Sequence, residues 1–112
     1  MDVRNVADAR RFSPDKGVRV PLFESERMFC DVLGLGPGQE RPPVAHEESD
    51  AVYYVVEGRG DFTAGGVTRA LGEKDAVRVP AGQVHAVRNG GTGNLTILVL
   101  AAPHPNYVSR RV

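Results

Sequence analysis

Short β-branched runs, each closed off by glycine or proline after a few residues, constrain this chain more than any other feature. Its 112 residues include 13 glycines and 8 prolines. Segments such as Val52-Tyr53-Tyr54-Val55-Val56 and Leu95-Thr96-Ile97-Leu98-Val99-Leu100 lie between them. Turn signals recur roughly every 8 to 12 residues, the rhythm of an all-β sandwich or barrel. The predicted strands are 18–23, 27–33, 44–47, 51–57, 61–64, 67–71, 76–79, 85–88 and 95–101. Pro21 interrupts the first and places it at a sheet edge, and Glu24-Ser25-Glu26 is the turn after it. In the second, Met28, Cys30 and Val32 share one face. Gly65-Gly66 is a hairpin turn that accepts positive φ. A helical turn is expected only around Val6 to Arg11, so residues 1–16 read as an N-terminal arm and 103–112 as an irregular tail.

The chain is long enough for one domain and one core. Fourteen basic residues balance fourteen acidic ones, so bulk charge gives no argument for a nucleic-acid or anionic-membrane partner. The pairs Arg10-Arg11 and Arg110-Arg111 read as solvated ends. No apolar run approaches the ~20 residues that span a bilayer, and the first residues lack the apolar stretch of a secretory signal. The lone Cys30 has no partner for an intramolecular disulfide and reads as buried packing. The expected location is the cytoplasm.

Two segments carry the chemistry. The first runs from Gly38 through His46 and Ala51 to Gly58. The second is Lys74-Asp75-Ala76-Val77-Arg78-Val79-Pro80-Ala81-Gly82-Gln83-Val84-His85-Ala86-Val87-Arg88-Asn89. Side chains alternate across a strand. Val44 and His46 therefore share one face, as do Ala51, Tyr53 and Val55, and His85 and Val87. Both segments resemble the two signature motifs of the cupin family: Gly, five residues, His-x-His, three or four residues, Glu, six residues, Gly; then Gly, five residues, Pro-x-Gly, two residues, His, three residues, Asn. Pro80, Gly82, His85 and Asn89 match the second motif, with Lys74 in place of its leading glycine. In the first motif His46 holds the second His position. Val44 stands at the first His position and Ala51 at the Glu position.

The resemblance implies an antiparallel jelly-roll β-barrel of about nine or ten short strands, in a small single-domain cupin. It also implies an interior site lined by Val44, His46, Ala51, Tyr53, His85 and Val87, and a homodimer. Of the four usual metal ligands His46 and His85 remain. One divalent ion (zinc, nickel, iron or manganese) held by these two is one expectation, and no metal is the other. Imidazole suits such ions, but catalytic zinc sites usually have three protein ligands. The oxygens in reach for a third are Gln39, Glu40, Glu48 and Asp50, the last with the wrong strand parity. Three functions stay open: small-molecule binding through a metal, metal-free isomerase or epimerase chemistry with His85 and Tyr53 as catalytic candidates, and ligand binding without turnover. His104, between Pro103 and Pro105, reads as solvent-facing; Asn89 reads as a turn cap bonded to backbone.

Overall fold

The computed structural model describes residues 1–105, so the end of the predicted tail, with Arg110-Arg111, lies outside the described residues. Among the described residues, nine strands and one short helix follow in the order α1 (Val6–Ala9), β1 (Val18–Ser25), β2 (Met28–Leu35), β3 (Glu40–Val44), β4 (Asp50–Glu57), β5 (Gly60–Ala64), β6 (Val67–Leu71), β7 (Ala76–Val79), β8 (His85–Arg88) and β9 (Leu95–Ala102). All pairing is antiparallel, in a five-stranded sheet β1-β2-β9-β4-β7 and a four-stranded sheet β3-β8-β5-β6.

The facing sheet surfaces form the core. Leu33, Leu35, Tyr53, Val55, Leu95, Ile97 and Val99 are all buried there. Cross-strand partners share a face. One interior row therefore runs Pro21, Asp31, Val99, Tyr53, Val77 across the larger sheet. Cys30 and Val32 face the other way, as strand parity predicts, and pack with Leu22 beneath Val6 and Ala9 of α1. The arm thus covers the outer surface of the sheet. The helix is started by Asn5, whose side chain accepts from the amides of Ala7 and Asp8.

Two expectations change. The turn after β1 falls at residues 26–27, because the β1–β2 ladder continues to the pair Ser25 and Met28. The strand expected over 44–47 lies earlier, at Glu40–Val44, and His46 sits in the loop after it. Pro42 and Pro43 argue against a strand, but β3 is an edge and needs hydrogen bonds on one side only. Its register shifts between Arg41, opposite Val87, and Val44, opposite His85. Three residues on β3 span two on β8, which is a bulge. Both Arg41 and Val44 consequently share the interior face of Val87 and His85.

Among the described residues no helix is long and apolar enough to cross a membrane.

Candidate functional site

His85 opens β8 two residues beyond the Pro80-Ala81-Gly82 turn, after Gln83 and Val84. Gly82 has φ +83°, which glycine adopts without steric cost. Its amide donates to the His46 carbonyl at 2.8 Å, and the Ala81 amide donates to the Asp50 carboxylate at 2.9 Å. The turn of one motif therefore holds the loop of the other. That contact leaves the His46 and His85 rings 6.0 Å apart, at 60° to each other.

His85 is buried and both its nitrogens are engaged. Nδ1 lies 2.9 Å from the Gln83 carbonyl, which can only accept, so Nδ1 carries the hydrogen. Burial holds this imidazole below its ordinary pKa, against the pull of the Gln83 carbonyl and with some help from the Arg41 charge. Neutral His85 then presents Nε2 as an acceptor, and the Tyr53 hydroxyl donates to it at 2.6 Å. Arg41 Nη1 in turn donates to the Tyr53 oxygen at 2.8 Å. Tyr53 is 1% exposed, and burial pushes its phenol up despite the nearby guanidinium. The result is a directed chain: Arg41 to Tyr53, Tyr53 to His85, His85 to the backbone.

His46 differs. Its ring lies edge-on to Phe29 and His85, and among the described residues its buried Nε2 has no hydrogen-bond partner. Desolvation lowers its pKa, reinforced by Arg41, then His85, then Arg19. The ring borders a cavity of about 130 Å³ at the barrel mouth, shared with Arg19, Phe29, Asp31 and His104. Asp31 points inward and is 4% exposed, with Arg19 Nε 3.4 Å from its carboxylate. Burial raises its pKa, and Arg19 only partly opposes this.

Of the residues expected from sequence, Ala51, Tyr53, His85 and Val87 lie buried in the interior, while His46 and Val44 are half-buried at the mouth. His104 corrects the expectation of a solvent-facing residue. It is 3% exposed, stacked edge-on against Phe29, with Nε2 2.7 Å from Glu24. Residues 103–105, after β9, fold back over the mouth, where Ser49 donates to the Pro103 carbonyl. Asn89 behaves as expected, donating to the Leu35 and Gly93 carbonyls and accepting from the Gly91 amide.

The side chains do not fit a resident metal. Gln39 bonds the Gly36 amide and the Ser13 carbonyl, Asp50 caps the Ala81 turn, and Glu40 and Glu48 are exposed. Among the described residues no three His, Cys, Asp or Glu side chains converge. His46 offers one free nitrogen, His85 offers none while Tyr53 is bound, and the Arg41 charge would repel a cation.

Comparison with known proteins agrees with this architecture. The cupin domain family matches residues 32–101, more than half of the chain. The chain belongs to the cupin family. TT1209 from Thermus thermophilus superposes with a TM-score of 0.89 at 37% identity, covering 92% of this chain and 98% of that one. An RmlC-like cupin from Desulfovibrio desulfuricans gives 0.82 at 28% identity, covering 92% and 97%. A double-stranded β-helix protein from Klebsiella pneumoniae gives 0.86 at 23% identity, covering 92% and 90%; that likeness speaks to fold alone. No curated protein matches the chain.

Sequence reasoning missed Arg41 and Asp31. Asp31 was findable as the one charged residue within Met28–Leu35, on the face opposite Cys30 and Val32. Arg41 was not, because only the β3 bulge turns it inward.

Proposed function

We propose that this cupin binds a small molecule at the barrel mouth, held by His46 and by the Arg41–Tyr53–His85 chain rather than by a metal. The buried Nε2 of His46, unpartnered among the described residues and beside the 130 Å³ cavity, carries this reading. A buried polar nitrogen costs free energy until something bonds it, and a ligand in that cavity would supply the bond.

The test is a fragment screen by imidazole-detected NMR on the full chain. Binders should shift the His46 and His85 resonances, and His46→Ala should lose them while its circular dichroism stays unchanged. Binders that perturb only residues remote from the mouth would sink the proposal. Elemental analysis of untagged protein should accompany the screen. Stoichiometric metal that disappears in His46→Ala would replace this reading with a metal site.

The hydrogen-bond chain also favours a second reading, metal-free acid–base chemistry. Tyr53 already donates to His85 across 2.6 Å, the reach a proton-transfer pair needs. Deuterium appearing in a bound ligand in D2O, and failing to appear with Tyr53→Phe, would distinguish catalysis from binding alone.

A further inference from the structure

Among the described residues Arg41 is a half-buried cation without an ion-pair partner. Among the described residues the charged pairs are Arg10 with Glu57, Arg19 with Asp31, Arg78 with Asp50 and His104 with Glu24; no carboxylate lies within ion-pair distance of Arg41. Its guanidinium carries five N–H donors. The Tyr53 oxygen takes one. The two imidazoles nearby are held toward their neutral forms, so they add no charge. Asp31 is the negative group close enough to be felt, and Arg19 already sits on it. A desolvated, unpaired charge is costly, and an anion offsets that cost.

We infer that the ligand carries a carboxylate, gripped by the Arg41 guanidinium beside the Tyr53 hydroxyl, while His46 bonds a second polar group of the same molecule. This deepens, and rests on, the small-molecule reading of the site. A planar carboxylate matches two parallel N–H donors of arginine. The single charge of the guanidinium matches a monoanion. A phosphate dianion would bring a second negative charge toward Asp31 and Glu24, which line the same cavity, where among the described residues Arg19 is already paired with Asp31. The fixed positive charge that a metal supplies in other sites is here built into the chain.

Matched acid and amide probes, acetate with acetamide and benzoate with benzamide, test the inference by NMR titration and calorimetry on the full chain, with inorganic phosphate as a third probe. The carboxylates should bind about tenfold to a hundredfold more tightly than their amides, the range of a charge-assisted hydrogen bond. Arg41→Gln should erase the difference. Arg41→Lys should keep part of it, since it retains charge but not the fork. Amides that bind as well as acids, with His46 shifted by both, would overturn the carboxylate anchor and leave the pocket standing. Phosphate that displaces benzoate at equal concentration would overturn the choice of anion. No shift of His46 by any probe would overturn anchor and pocket together. If Arg41→Gln does not fold, the acid-to-amide ratio in the native chain and in Arg41→Lys still decides.

Discussion

The Tyr53 hydroxyl occupies His85 Nε2, the nitrogen through which that ring would otherwise be free to ligate, since Nδ1 is held by the Gln83 carbonyl. Tyr53→Phe removes the donor and leaves a buried imidazole nitrogen and one Arg41 N–H unpaired. A buried group stripped of its partner costs about 1–3 kcal/mol. Urea denaturation should show a loss of that size, and calorimetric titration with nickel should show tighter binding than the parent, now that His85 Nε2 is free. Unchanged stability would mean that the hydroxyl does not hold the ring. The residues of this chain were unevenly legible in the sequence. Motif spacing located His46 and His85, and strand parity placed Tyr53 beside them. The partners that set their chemistry were hidden, since no local pattern says that Arg41 reaches Tyr53 or that His104 returns to Phe29. Such contacts join residues from different strands and depend on the closed barrel.

At the scale of elements, the strands from β4 to β9 could be read almost to their ends, because alternation and turn chemistry are local signals. β3 could not, because its prolines look like a break and are tolerated only at an edge, beside a bulge. The register now fixed there can be tested. Val44 faces His85 across the ladder, and Ala51 points inward beside Val79 and Ala101. The double variant Val44→His, Ala51→Glu should therefore bind nickel or zinc much more tightly than the parent; equal affinity would mean that the β3–β8 register is wrong. The turn before β7 offers a second test. Gly72 accepts from the Asp75 amide, and Lys74, in the third position of that turn, has φ +72°. This conformation belongs to glycine or asparagine, and the family motif has glycine at this place. An L-residue there costs roughly 1–2 kcal/mol, part of which glycine returns through its freer unfolded state. Lys74→Gly should stabilise the fold by about 1 kcal/mol, read as a raised thermal midpoint. A lowered midpoint would mean that the lysine side chain contributes more than the backbone strain removes.

The whole barrel responds to pH through the groups it desolvates. His46 and His85 both have folded-state pKa values below the ordinary 6.5, chiefly because burial penalises the imidazolium. As pH falls through 6.5 the unfolded chain takes up protons before the folded one does, so stability is present above that value and drains away below it. Asp31 acts in the opposite sense. Its folded pKa is raised above 3.8, so the folded chain takes up that proton first, and stability is recovered as pH falls through the carboxylate range. The histidine loss sets in below 6.5, and the Asp31 recovery opposes it as pH falls further. Thermal midpoints should therefore be level from about pH 8 down to the ordinary histidine value, then fall towards pH 5. His46→Gln should shallow that fall, since it removes a desolvated imidazole whose Nε2 has no bond to lose. A carboxylate bound at Arg41 would shallow it by another route, because a fixed negative charge at the mouth favours the imidazolium forms. Saturating benzoate should therefore raise the midpoint more at pH 5.5 than at pH 7.5, and an equal rise at both would place the bound anion away from the two histidines.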